Sequence, residues 1–346
     1  MHMADALISP AVGGAMWAAT AGVAAFSAKK VQQDPDERKI PLMGVMGAFI
    51  FAAEMINFAI PGTGSSGHLG GGLLLAILLG PHAAFLTMIS ILTVQALFFG
   101  DGGLLALGCN IFNLAFFTSF IAYPLIYKQI AGKKMNQNRI FWGAMLAAVT
   151  GLQLGSFGVV LETLVSGNSA LPFKTFVLLM QPIHLAIGIV EGLVTAAVVS
   201  FIRKARPELL ENAVLVKPPG GVSLKKVLTG LGMAAVLTGG ALSWFASSRP
   251  DGLEWSVFHA SGKEQLEAGD KIHHLTAMLQ KKTAFFPGYE FKKSSQKTVI
   301  ENQTTSTWPD VKGGTTVAGL AGGVITLLLA VIIGAVLRFI KKASPQ

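Results

Sequence analysis

Residues 173–202 read FKTFVLLMQPIHLAIGIVEGLVTAAVVSFI, and this apolar run decides the class of fold. A membrane-spanning helix needs about 20 predominantly apolar residues to cross the hydrocarbon core of a bilayer. The composition of the whole chain agrees with such a helix. Of 346 residues, 52% are hydrophobic and only 13% are charged, which is about half of the charged fraction usual in soluble domains. The sequence therefore predicts an all-α integral membrane protein.

The distribution of apolar stretches predicts nine membrane crossings. Clusters of Lys and Arg follow the first, fifth, seventh and ninth of them, and with nine crossings every cluster falls on the cytoplasmic side. The odd number of crossings, together with the positions of the basic clusters, predicts a multi-pass protein of the inner or plasma membrane. Its N-terminus is predicted to be extracytoplasmic and its C-terminus cytoplasmic. The predicted crossings are 11–28, 40–60, 69–79, 82–99, 107–127, 140–165, 173–202, 222–245 and 317–340.

Composition also divides the chain into a core, a linker and a smaller module. The core is 1–205, the proline- and glycine-containing linker is 206–221, and the module is 222–346. Within the module, the polar segment 246–314 is predicted to lie outside the membrane, and its role is left open. The net charge of +9 is explained by basic cytoplasmic loops, so no nucleic-acid partner is required.

The first two residues, Met1 and His2, carry the most specific chemistry. The amine of Met1, the deprotonated amide of His2 and its imidazole can chelate one metal ion with three nitrogens. Four nitrogens in a plane suit Ni(II) or Cu(II), and His68 in the loop PGTGSSGH (61–68) could supply the fourth. No cleavable signal peptide is recognised, so Met1 is expected to persist in the mature protein. A frayed terminus is the alternative, but the predicted topology puts both histidines on one face and favours a shared site.

Several polar side chains lie within predicted membrane helices, where they are costly and mark functional candidates. Asn57, Gln95 and Asn110 could orient the metal-binding imidazoles, or they could belong to hydrogen-bond networks that join helices. For His184 and Glu191, seven residues apart on one helix face, a network between helices is the preferred interpretation. The first helix carries small residues at four-residue spacing, which would serve internal packing or docking of a partner membrane protein. These residues are Ala11, Ala15 and Ala19.

Five stretches in this order resemble the CbiM/NikM family over about residues 1–203. They are MHMADALISP (1–10), PGTGSSGH (61–68), GPH (80–82), DGGLLALGCN (101–110) and HLAIGIVEG (184–192). Members of this family are the substrate-binding membrane components (S-components) of energy-coupling-factor (ECF) transporters for cobalt and nickel. The sequence PDGLE at 250–254 resembles the companion subunit CbiN/NikN, which is here fused to the core.

The resemblance implies a seven-helix S-component core plus a two-helix module with an extracytoplasmic loop domain. It implies that Met1, His2 and His68 bind Ni(II) or Co(II) as the transported substrate, with Asn57, Gln95 and Asn110 holding the N-terminal loop or the ligands. The implied partners are a transmembrane T-component and cytoplasmic ATPase subunits. The family opening is commonly Met-His-Ile-Met-Glu-Gly, and the different residues after His2 leave the choice between nickel and cobalt open.

Two other functions compete with this one. An intramembrane metal-dependent hydrolase using His184 and Glu191 would need a His-Glu-x-x-His-like pair, which the sequence lacks, so the chain is not expected to be an enzyme. A divalent cation carrier or channel that works without ATPases, using Glu54 and Glu191, remains the alternative. Transport by the chain alone would distinguish it.

Overall fold

A computed structural model describes most of the chain. The described residues are 1–34, 36, 38–132, 135–167, 171–205, 210, 224–263, 266, 268–292 and 308–343. The predicted linker, 206–221, lies outside the described residues except for Leu210.

Eleven longer helices, three short 3₁₀ helices and one short hairpin make up the regular structure of the described residues. The 3₁₀ helices are Asp5–Leu7, Leu242–Phe245 and Pro287–Tyr289. The hairpin consists of β1 (Phe58–Ala59) and β2 (Ser66–Gly67). The helices are α1 (Pro10–Gln33), α2 (Lys39–Glu54), α3 (Gly72–Leu79), α4 (Pro81–Phe99), α5 (Leu107–Ala131), α6 (Gln137–Ser166), α7 (Phe173–Ala205), α8 (Leu224–Gly240), α9 (Gly252–Ser261), α10 (Lys271–Thr283) and α11 (Gly313–Ala343).

Local sequence explains where the long helices begin and end. Ser9 caps α1 by accepting a hydrogen bond from the Val12 amide, and Pro10 occupies the first helical position, where its missing N–H costs nothing. Asn136 caps α6 in the same way. The last turn of α7 carries Arg203 and Lys204, whose positive charges favour the negative end of the helix dipole.

Six of the described helices are long and apolar enough to cross a membrane: α1, α4, α5, α6, α7 and α11. The chain is therefore an all-α, multi-pass membrane protein. Helices α2, α3 and α8 have 16, 8 and 17 residues, each shorter than the roughly 20 residues that cross a bilayer without help. The count of nine crossings stays a prediction for this reason.

Large apolar side chains remain exposed along the spanning helices. Val165 in α6 is 74% exposed, Phe201 in α7 is 67% exposed and Phe339 in α11 is 74% exposed. Such side chains would be a liability in water, but they fit a helix surface that contacts lipid.

The hairpin connects the core to the PDGLE stretch. β1 and β2 pair antiparallel, with Ala59 opposite Ser66. On its other side, β2 meets residues 249–251: the Ser66 amide donates to the Pro250 carbonyl at 2.8 Å, and Ser66 forms a bridge with Asp251. Because His68 follows β2 directly, this pairing brings the PDGLE stretch next to His68.

Candidate metal-binding site

The N-terminal segment is buried, not frayed. Met1 is 6% exposed and Met3 is fully buried. The Met3 amide donates to Asn110 Oδ1 at 2.8 Å, and the Met3 carbonyl accepts from Asn110 Nδ2 at 3.2 Å and from the Gly103 amide at 2.8 Å. These bonds hold the first three residues against the start of α5 and fix the position of the chain terminus.

His2 and His68 meet although 65 residues separate them in the chain. Their imidazole rings stack with centroids 5.0 Å apart and planes inclined by 20°. The close approach of the loop depends on Gly67, since a β-carbon there would lie 2.5 Å from the Ile187 side chain of α7. Gly71, with φ of 72°, allows the turn from the loop into α3 that other residues would resist.

Polar residues from two helices determine which nitrogen of His2 is free. His2 Nε2 lies 3.1 Å from Gln95 Oε1, and Gln95 Nε2 donates to Glu54 Oε2 at 2.6 Å. With its amide group engaged by Glu54, Gln95 presents an oxygen to His2, so Nε2 carries the proton. Nδ1 is then unprotonated, and this is the nitrogen that can close a chelate ring with the His2 amide. Gln95 begins a π-helical segment at the end of α4, a distortion often found at functional sites.

A hydrogen bond to the backbone orients the His68 ring. Its Nδ1 lies 3.0 Å from the Leu69 carbonyl and donates to it, which leaves Nε2 free to bind an ion. Behind the loop, Glu191 Oε2 accepts from the Gly70 amide at 2.8 Å, so this carboxylate braces the His68 loop against α7. The expected role of Glu191 in joining helices is thus replaced by a helix-to-loop contact.

Both imidazoles are held in their neutral forms. Burial lowers the pKa of His2, and the nearby Asp101 carboxylate opposes the shift only in part. Burial, followed by the positive charge of the Met1 amine, lowers the pKa of His68 well below its ordinary value. A neutral imidazole is the form that binds metal, so neither ring has to lose a proton at neutral pH before it can do so.

Asp251 of the PDGLE stretch faces the chain terminus. Its Oδ2 lies 3.8 Å from the Met1 amine, while its Oδ1 accepts from the Leu253 and Glu254 amides and caps α9. Burial raises the pKa of Asp251, but the Met1 amine and the Glu254 amide outweigh it and hold the pKa below its usual value. An ionised carboxylate therefore lies beside the proposed ligands, and the sequence alone did not reveal it.

The polar residues proposed to support the site divide into two groups. Gln95 and Asn110 bond directly to the N-terminal segment. Asn57 makes no such contact: its carbonyl accepts from the Ser247 amide at 2.7 Å, and its side-chain Oδ1 is buried without a hydrogen-bond partner. Within the described ranges, no three His, Cys, Asp or Glu side chains converge as metal ligands. A chelate built from a terminal amine and an amide needs only two such side chains.

An acidic vestibule opens beside His2. It has a volume of about 380 Å³. Four carboxylates line it, and none of the described lining residues is Lys or Arg. The carboxylates belong to Asp5, Asp101, Asp251 and Glu254.

Helix α10 of the module packs over the N-terminal segment. His273 Nε2 lies 2.9 Å from the Asp5 carbonyl and 3.0 Å from the Ile8 carbonyl, while its Nδ1 lies 2.6 Å from Asp270 Oδ2. Burial lowers the pKa of His273, but these hydrogen bonds outweigh it and raise the pKa above its ordinary value. Gln280 donates to the Gly102 carbonyl at 2.6 Å. The sequence gave no signal of these contacts, because His273 is 268 positions from Asp5 and Gln280 is 178 positions from Gly102.

Comparisons with known proteins identify the family of the chain. The family described as "Cobalt uptake substrate-specific transmembrane region" (CbiM) matches residues 2–209, and the PDGLE domain matches residues 225–339. The fused nickel transport protein NikMN of Rhodobacter capsulatus is 33% identical over 224 residues, which cover 61% of this chain and 64% of that protein. The cobalt transport protein CbiM of Sorangium cellulosum is 28% identical over 234 residues, covering 64% of this chain and 100% of the relative.

A solved structure supports the same relationship. The crystal structure of a truncated transition metal transporter matches with a TM-score of 0.52 and 34% sequence identity, covering 59% of this chain and 99% of that one. Because the family and the matched proteins are transporters, the expectation that this chain is not an enzyme is confirmed. The chain belongs to the CbiM/NikM family of transition-metal transport proteins, with a CbiN-like PDGLE module fused to its C-terminal side.

Proposed function

We propose that this chain is the substrate-binding component of an ECF-type transporter that imports Ni(II), Co(II) or both. One observation carries the proposal: the rings of His2 and His68 stack beside the buried Met1 amine, each with one nitrogen that its hydrogen bonding leaves unprotonated. The unprotonated nitrogen of His2, Nδ1, lies 3.5 Å from Asp101 Oδ1. Nothing in ordinary helix packing requires two neutral imidazoles and a chain terminus to meet in this way.

The proposed ligands are four nitrogens: the Met1 amine, the His2 amide, His2 Nδ1 and His68 Nε2. Gln95 and Asn110 support this set by fixing the His2 ring and the backbone after it. Binding displaces protons from the amine and the amide, so affinity should fall as the pH falls. The relatives named above act on nickel or cobalt, and the choice between the two for this chain is a matter for titration.

The acidic vestibule is the proposed access route. Carboxylates around a concave opening concentrate cations and accelerate their capture. His2 and Asp251 line the vestibule, and Met1, His68 and Asp251 line a smaller cavity next to it, called the inner cavity. The proposed ligands therefore lie between two neighbouring cavities.

The rest of the proposed organisation follows from the sequence. We retain a seven-helix core, 1–205, and a two-helix module, 222–346, with the N-terminus and the segment 246–314 outside and the C-terminus in the cytoplasm. Partners would be a transmembrane T-component and cytoplasmic ATPase subunits. Helix α1 supports a docking role, since Ala11, Ala15 and Ala19 are exposed and a β-carbon on Gly22 would meet nothing within 4 Å.

A titration and a transport assay test the proposal together. Purified protein with a free Met1 is titrated with nickel and cobalt in parallel, beside His2→Ala and His68→Ala. We expect a yellow, square-planar nickel absorbance in the parent protein and its loss in both variants. Unchanged binding in both variants would refute the ligand assignment. In vesicles, uptake should require ATPase partners and nucleotide; uptake by the chain alone would instead support the carrier or channel.

A further inference from the structure

A buried histidine outside the proposed chelate has a nitrogen without a partner. His184 of α7 is 1% exposed. Its Nδ1 lies 2.8 Å from the Met180 carbonyl and donates to it, which leaves Nε2 as an unprotonated acceptor. Nε2 is buried and forms no hydrogen bond. A buried polar atom of this kind is uncommon in proteins and calls for a ligand or a water.

His184 lines the small inner cavity next to the proposed chelate. This cavity has a volume of about 10 Å³, which is room for one water-sized particle. Met1, His68 and Asp251 lie on its other walls, together with Gly70 and Gly252. A β-carbon on Gly252 would come within 3.7 Å of His184 Cε1, so the PDGLE backbone passes close to the ring. Asp251 lines both this cavity and the vestibule.

We infer that His184 Nε2 is a ligand in a second binding site, which receives the transported divalent ion from the terminal chelate. This inference rests on the proposed function. His68 faces the chelate and the inner cavity at once, so it can remain a ligand while the ion moves between them. The ion exchanges the terminal nitrogens for His184 and the Asp251 carboxylate. Imidazole and carboxylate ligands suit Ni(II) and Co(II).

The donor groups do not converge on one point in this conformation, since no three such side chains among the described residues form a ready metal site. A binding site along a transport route must release its ion. A site whose ligands come together only while the ion passes holds the ion more weakly than a preformed chelate does. The backbone of the His68 loop is anchored by Glu191, which accepts a hydrogen bond from the Gly70 amide.

The test replaces His184 with a side chain that reports its own ligation. His184→Cys is titrated with Ni(II), and the near-ultraviolet thiolate-to-metal charge-transfer absorbance is recorded beside the chelate absorbance. A thiol that reaches the ion is deprotonated and becomes a ligand. His82→Cys is the matched control, because His82 lies at the opposite end of α4 from Gln95, about 20 Å away. Cys109 is present in every variant and provides the background.

We expect strong charge-transfer absorbance in His184→Cys and about tenfold less in His82→Cys. Formation of the chelate absorbance without the charge-transfer band in His184→Cys would overturn the inference. A folded variant that loses the chelate absorbance itself would also overturn it, since His184 would then support the first site only. Absence of the chelate absorbance in the parent protein would instead refute the proposed function.

A second variant covers the case in which His184→Cys fails to fold. In His184→Gln, the chelate absorbance should persist, while the fraction of bound nickel that resists a brief chase with an external chelator should fall about tenfold. An unchanged resistant fraction would show that the cavity holds a water and that the ion does not pass through it.

Discussion

Replacing Gln95 with leucine tests how the protein selects the metal-binding nitrogen of His2. Gln95 Oε1 accepts from His2 Nε2, which keeps the proton away from Nδ1. Nδ1 lies 3.5 Å from Asp101 Oδ1. Without Gln95, the proton can move to Nδ1 and point at Asp101, and the chelating nitrogen is then blocked. Removing such a supporting residue costs about 10- to 100-fold in metal affinity, equivalent to roughly 1.4–2.8 kcal/mol.

The same substitution also affects stability, so both quantities must be measured. Leucine leaves Glu54 Oε2 without its donor, and Glu54 Oε1 already has no hydrogen-bond partner. An unsatisfied buried group costs about 1–3 kcal/mol. Nickel affinity is measured by competition with a chelator, and folding by thermal unfolding without metal. Gln181→Leu is the matched control, because Gln181 is also a glutamine in a helix but bonds to Ser156 Oγ and the Gln153 carbonyl of α6 and not to His2.

The Gln95 prediction has a second arm. Adding Asp101→Asn to Gln95→Leu removes the charge that attracts the proton to Nδ1, so part of the lost affinity should return. Nickel affinity of Gln95→Leu within twofold of the parent protein, with the fold intact, would refute the reasoning about the His2 proton.

Two further predictions concern the module. Because folding raises the pKa of His273, the bonds of its protonated ring to the N-terminal segment contribute fully to stability below the unfolded pKa of about 6.5. This contribution to stability weakens as the pH rises through the pKa of the folded protein. The difference in melting temperature between the parent protein and His273→Ala should therefore shrink between about pH 6 and about pH 9, and a difference that grows would contradict the protonated clamp. Asp251→Asn keeps the cap of α9 but removes the charge beside Met1. It should slow nickel association several-fold in stopped-flow measurements, and Asp251→Ala, which also loses the cap, should be about 1 kcal/mol less stable than Asp251→Asn. Equal association rates for all three proteins would contradict the role of the charge.

The sequence could indicate the proposed chelating residues because the chemistry is local. Met1 and His2 are adjacent, so their three nitrogens are available whatever the fold. The glycine-rich loop marked His68 as the fourth donor, and the membrane topology favoured one face for both histidines. That these nitrogens bind metal remains a proposal, but their meeting is now a structural finding.

The sequence could not predict the groups that complete the site, because tertiary structure alone brings them there. Asp251 belongs to the recognised PDGLE stretch, yet only the pairing of β2 with residues 249–251 places it beside Met1. His273 lies in a polar segment whose role the sequence left open. Asn57 was expected near the ligands, but α2 ends at Glu54 and the backbone then turns Asn57 towards Ser247.

The number of crossings stays a prediction for a physical reason as well. Hydropathy detects a helix that faces lipid along a full bilayer thickness. α3 has 8 residues and is buried along its whole length, so protein packing replaces lipid around it. Its apolar sequence identifies a buried segment without showing whether that segment crosses the membrane.

Nickel titration of the protein with an acetylated Met1 amine tests the terminal chelate. Acetylation converts the amine, one of the four proposed nitrogens, into an amide and adds no other donor nitrogen. The square-planar nickel absorbance should then disappear and the affinity should fall, and thermal unfolding without metal in parallel establishes that the acetylated protein is folded. Nickel binding with unchanged absorbance and affinity in the folded, acetylated protein would contradict the terminal chelate.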